Sequence, residues 1–179
     1  MRPERPALAG QAPAPLSGAV AIPDVVARTL MTWNVSLALT GFAIVTMLIG
    51  RVGIATQLKE SLLERDPSIS VTTLDTATPR IVLAVIGALT LVVLLELVLV
   101  RTFAGRRSWP RLALVPIVIL HVVVALLASL LVPETAWQGW VLSLALYAGT
   151  LAALAAIVRS FFPSVSAWAR GARPEPNLS

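Results

Sequence analysis

Two side chains could do proton chemistry inside otherwise apolar sequence. They are Glu96, within LVVLLELVLV, and His121, within PIVILHVVVA. A carboxyl and an imidazole can each take and give a proton, and an ionisable residue within a membrane span is by default a functional candidate. Each also has a structural reading. Glu96 stands about one turn from Arg101, so it could snorkel towards the basic segment that follows. A neutral His121 could donate a hydrogen bond across a helix contact. Counted from the ends of their apolar runs, Glu96 is about five residues deep and His121 about ten. The offset of roughly 7 Å predicts no direct contact without tilt or an intervening water.

Little else in the chain carries chemistry. Cysteine is absent and there is one histidine, so thiol nucleophiles, thiolate metal sites and multi-histidine sites are excluded for a single chain. No phosphate-binding loop, nucleophile elbow or metalloprotease motif is present, and no paired-carboxylate arrangement stands in a credible context. The sequence therefore predicts no enzyme, no cofactor and no metal. Asn34, Ser36, Thr40 and Thr46 form a polar stripe whose Ser36 and Thr40 share a helix face, which suits interhelical hydrogen bonding.

The elements that must position these residues follow from composition. Among the 179 residues the hydrophobic fraction is 57% and the charged fraction 13%, too apolar for a soluble domain of this size. Four apolar runs stand out, at about 30–49, 81–100, 112–132 and 137–158. Each is long enough, at about 20 residues, to cross a hydrocarbon core, and backbone in lipid must close its own hydrogen bonds as helix. The fold expected is all-α: a four-span antiparallel transmembrane helix bundle, with an amphipathic helix in the outer 51–80 loop between spans one and two. In that loop Ile54, Leu58 and Leu62 recur at helical spacing among charges, and Asp66-Pro67 ends the pattern. The loop reads either as a lid lying on the interface or as a docking surface. Residues 1–27 read as a Pro/Ala-rich disordered tail, 28–162 as the membrane domain, and 163–179 as a polar tail.

Arginine sets the expected orientation. The net charge is +5, and thirteen of the fourteen basic residues are Arg. Most flank the N-tail, the 101–111 turn and the C-terminal end, and the turn alone carries Arg101, Arg106, Arg107 and Arg111 without an acid. Positive-inside placement explains this basic bias better than nucleic-acid binding does. It puts both termini in the cytoplasm of a multi-pass plasma-membrane protein, with anionic lipid at that face. Trp33, Trp109, Trp137, Trp140 and Trp168 fall near span ends, where interfacial anchors belong. In span four, Ala145, Gly149 and Ala153 repeat every four residues, as do Ala148, Ala152 and Ala156. Such small-residue stripes pack helices closely, one for the bundle and one for an oligomer or partner. Pro116 could kink span three.

Two short segments carry a resemblance. They are Gly105-Arg106-Arg107-Ser108-Trp109-Pro110-Arg111 between spans two and three, and Pro163-Ser164-Val165-Ser166-Ala167-Trp168 after span four. With the outer helical loop, they make residues 28–170 resemble small four-helix actinobacterial integral membrane proteins of largely unknown function. Pro110 and Ser166 depart from that pattern. The resemblance implies a fold and a location, with no activity to carry over. The function expected is a non-catalytic accessory or interaction subunit of a membrane assembly, with a membrane-protein partner or a homo-oligomer. The alternatives are a small transporter or proton conductor using Glu96 and His121 and, more remotely, a membrane-disrupting or phage-exclusion protein.

Overall fold

The computed structural model describes residues 22–105, 107–132 and 137–169. They form α1 (Asp24–Arg65), α2 (Val71–Ala104), α3 (Pro110–Leu131), α4 (Trp137–Ser160) and α5 (Pro163–Ala169). The first four are long and apolar enough to cross a membrane. Around the bundle α1 packs on α2 and α4, α2 on α3 and α3 on α4, the last seam being the loosest. Pro110 opens α3, where its missing N–H costs nothing. The chain stays helical through Pro116, which lies exposed.

The helices are unequal in length. At 1.5 Å per residue, α3 with 22 residues and α4 with 24 are about 33 and 36 Å long, close to one bilayer core. With 42 and 34 residues, α1 and α2 reach about 63 and 51 Å. Contacts of Thr40 with Gly149 and of Trp33 with Ser160 set the register of α1 against α4. That register brings Trp137 about level with Val52. The contact of Glu96 with His121 likewise sets the end of α3 about level with Ile86. Beyond these levels α1 and α2 continue as a helical hairpin for about 20 Å.

The expected break after the first span is therefore absent. Gly50 and Gly53 sit inside α1 and cost it roughly 1 kcal/mol each in helix propensity. The helix continues because the buried face formed by Ala43 and Met47 extends to Ile54 and Ala55, in one core cluster with Val82 and Ile86 of α2. The amphipathic segment exists as the last turns of α1. Its Leu58, Leu62 and Leu63 are half-buried, and Lys59 is ion-paired with Asp75 of α2. Pro79 is tolerated inside α2 because the carbonyl it deprives of a donor, that of Asp75, lies on an exposed stretch where water can replace the bond. The hairpin turn is fixed by Asp66, whose carboxylate accepts from the Ser68 N–H at 3.0 Å and the Ser68 hydroxyl at 2.6 Å.

At the opposite end α5 folds back where a polar tail was expected. Val26, Phe103, Val165, Trp168 and Ala169 form a small core there, with Phe103 and Trp168 edge to face at 6.0 Å. Of the expected N-terminal tail, residues 24–27 belong to α1 and residues 1–21 lie outside the described residues. The tight turn at 133–136 and the segment 170–179 lie outside them too.

Candidate functional site

Glu96 and His121 meet. The His121 Nδ1 stands 2.8 Å from Glu96 Oε1, and both residues are fully buried. This overturns the offset expected from the apolar runs, for two reasons. The helices continue past those runs, to Ala104 in α2 and from Pro110 in α3. Measured from these true ends, the offset falls to three residues, about 4.5 Å. Side chains also lean towards the N-terminus of their own helix. In this antiparallel pair, Glu96 leans towards the hairpin end and His121 leans back, so the two lean together. Glu96 does not snorkel, and Arg101 lies exposed on the surface.

The other imidazole nitrogen faces α1, with Nε2 3.4 Å from Thr40 Oγ1. Thr40 donates to the Ser36 carbonyl at 3.0 Å, and Ser36 donates to the Gly149 carbonyl of α4 at 2.8 Å. One buried polar chain thus joins all four long helices. Gly149 is required by it, because a Cβ there would stand 2.8 Å from Thr40 Oγ1.

Hydrogen counting fixes the chemistry. A threonine hydroxyl has one hydrogen, and Thr40 commits it to a carbonyl, which can only accept. The contact with His121 is therefore donated by Nε2–H. One proton then lies between Nδ1 and Oε1, and the pair carries no net charge whichever atom holds it. Glu96 Oε2 is the buried side-chain oxygen left without a partner among the described residues. A relay through His121 to Thr40 ends at the Ser36 carbonyl, which has no proton to pass on.

Apolar layers close the site on both sides. Towards the hairpin stand Met47, Leu89, Val124, Ala128 and Leu146. Towards the other end stand Trp33, Val100, Leu114, Val118 and Ala153. Glu96 and His121 offer two donor side chains, fewer than the three protein ligands of a catalytic zinc site. No group of three or more potential metal-binding residues occurs among the described residues.

The other predicted site residues divide. Trp109 and Trp140 are exposed, at 52% and 69%. Trp33, expected at the headgroup layer, is fully buried, with its Nε1 donating to Ser160 Oγ at 3.4 Å. It shares the inward face of α1 with Ser36 and Thr40. Trp168 is buried against Phe103. The side chain of Trp137 lies outside the described residues. Ala145, Gly149 and Ala153 are buried, whereas Ala148 and Ala152 are half-buried and Ala156 is buried in the core.

Arg101 and Arg107 are exposed, and Arg106 lies outside the described residues. Arg111 is turned inward. It donates to Ser166 Oγ at 2.6 Å and to the Ser108 carbonyl at 3.1 Å, and its guanidinium stands 6.0 Å from the Phe161 ring centre. It thereby ties the basic turn to α5.

Sequence reasoning had singled out the Ser36–Thr40 face and the Gly149 stripe separately. What it missed was their meeting, which depends on interhelical register. Compared with known protein families, curated proteins and solved structures, the chain matches none.

Proposed function

We propose that this is a non-catalytic integral membrane protein of the plasma membrane, an accessory subunit that presents the α1–α2 hairpin to a membrane-protein partner. The observation that carries this reading is the hairpin itself, which continues about 20 Å past the α3–α4 end. Its two helices are held together by Lys59 and Asp75. Gln57, Glu60, Ser61, Glu64 and Arg65 are left exposed for contact. Glu96 and His121, the acid and the imidazole buried within the bundle, are engaged with each other between apolar layers. The arginine distribution supports cytoplasmic termini and an extracytoplasmic hairpin, with exposed Arg28, Arg101 and Arg107 facing anionic headgroups.

The test is a mild-detergent pull-down of tagged protein at native expression level, read by mass spectrometry. A stoichiometric partner is expected, and it is expected to be lost when Glu60 and Glu64 are both replaced by Arg. A monomer with no co-purifying protein refutes the proposal.

A second reading, a proton conductor, is favoured by the direct Glu96–His121 contact and opposed by the apolar layers on either side. A pH-dye flux assay in liposomes separates the two. Conduction requires flux in the wild type that is abolished by Glu96→Gln and by His121→Ala.

A further inference from the structure

At the base of the hairpin, a cleft of about 250 Å³ lies along the α1–α2 seam, lined by Arg51, Val52, Lys59, Asp75, Pro79 and Leu83 among others. We propose that this cleft holds the phosphate of a bilayer glycerophospholipid, gripped by Arg51.

The first argument is donor chemistry. Arg51 spends one donor on the Leu48 carbonyl of its own helix, at 3.1 Å, and has no acidic partner among the described residues. Four of its five N–H groups remain. Lys59 binds Asp75 and keeps two further hydrogens. Thr56 and Thr78, also in the lining, donate their hydroxyl hydrogens back to their own helix. Asp75 offsets Lys59, so the lining keeps one net positive charge, that of Arg51, and the complementary ligand is an anion rich in acceptor oxygens. Phosphate oxygens meet that description, and guanidinium grips them in a bidentate fork.

The second argument is depth. The register of α1 against α4 sets Val52 level with the start of α4 and Ile49 about level with the exposed Trp140. An exposed tryptophan at a span end marks the headgroup layer. Arg51 thus sits where lipid phosphates lie, and Lys59 stands two turns farther out.

The third argument is apolar surface. Beside Arg51, Val52 and Leu83 of the lining are 71% and 50% exposed and offer apolar surface that acyl chains can cover. The volume falls short of the roughly 300 Å³ at which drug-sized pockets begin. It suits a headgroup phosphate whose acyl chains remain in the surrounding lipid.

The test is native mass spectrometry of the full chain in mild detergent, titrated with phosphatidylglycerol. Arg51→Gln is compared with Arg101→Gln at the opposite end. Both residues are exposed, so both variants are expected to fold. The expected result is one tight lipid adduct, weakened about tenfold by Arg51→Gln, as the loss of one charge-assisted hydrogen bond implies. Arg101→Gln leaves it unchanged, and excess inorganic phosphate fails to displace it. Adducts that ignore Arg51→Gln, or that weaken equally in both variants, overturn the proposal. Displacement by inorganic phosphate also overturns it, because the site would then recognise a free anion. So does a co-purifying protein whose binding depends on Arg51 while the lipid adduct does not.

Discussion

Replacing His121 by leucine removes the partner of a fully buried carboxyl group. Glu96 already has one oxygen without a hydrogen bond, and the variant leaves it with none. Breaking a buried pair by deleting one partner costs about 3–5 kcal/mol, whereas replacing both partners with apolar residues of similar volume is often close to neutral. At 2–4 °C per kcal/mol for a chain of this size, His121→Leu and Glu96→Leu should each lower the melting temperature by roughly 6–20 °C. The double variant should recover most of that loss. Glu96→Gln is the isosteric control. Its amide N–H can donate to Nδ1 while Nε2–H stays on Thr40, so its cost should stay within about 1 kcal/mol. The assay is thermal unfolding in one detergent, followed by tryptophan fluorescence, for all four variants and the wild type. Single variants that melt like wild type would refute the reasoning. So would a double variant that loses the sum of the two single losses, because the residues would then be energetically independent.

Three further outcomes are expected. The chain has a single histidine, so nitrogen-15 labelling of histidine reports on one ring; Nε2 should be protonated, and an unprotonated Nε2 would contradict the hydrogen count at Thr40. Gly149→Ala should destabilise the bundle by about 1–3 kcal/mol despite the better helix propensity of alanine, because its Cβ would meet Thr40 Oγ1 at 2.8 Å; a stabilised variant in thermal unfolding would count against this packing. The Asp66 carboxyl is held below the ordinary carboxylate range, first by the Ser68 hydroxyl and then by the Ser68 N–H. Its contribution to the turn is therefore present above that range and lost as pH falls through the lowered value. The protection of the Ser68 amide, its exchange rate relative to the intrinsic rate at each pH, should fall on acidification in the wild type and lose that pH step in Asp66→Asn.

The four spans were legible in the sequence because lipid imposes a length and an apolar composition that a single chain reveals on inspection. The lower ends of α1 and α2 were not. Gly50-Arg51 and Asp66-Pro67 look like equivalent punctuation, yet only the second ends the helix. The difference lies in tertiary packing, since Ile54 and Ala55 have α2 residues to bury against and the Asp66 turn has none. The Glu96–His121 contact was hidden for a related reason. Both residues were visible, but their separation depends on where the helices end and on which way side chains lean, and apolar runs mark neither. Trp33 was misplaced because depth was inferred from sequence position while facing was not. Its spacing from Ser36 and Thr40 carried the missing signal.

In lipid, the hydrocarbon surrounding a helix is as apolar as its leucines, so hydrophobicity alone gives a span little reason to prefer one rotation over another. The faces of α2 and α3 bear this out, with Leu91, Leu94 and Val98 exposed on one and Ile119, Val123 and Leu127 on the other, all as apolar as the buried set. What differs between rotations is the fate of Glu96 and His121. Turning α2 by one residue would carry Glu96 about 100° round the helix towards lipid, where an acidic side chain at mid-span costs about 2.5–3.5 kcal/mol. The polar chain from Glu96 through His121, Thr40 and Ser36 to Gly149 thus acts on register more than on total stability. It selects one arrangement of four otherwise permissive helices. That arrangement in turn sets α1 and α2 to emerge together as the hairpin. The double variant is expected to melt near wild type yet lose this selection, which broader amide resonances from its span helices would report.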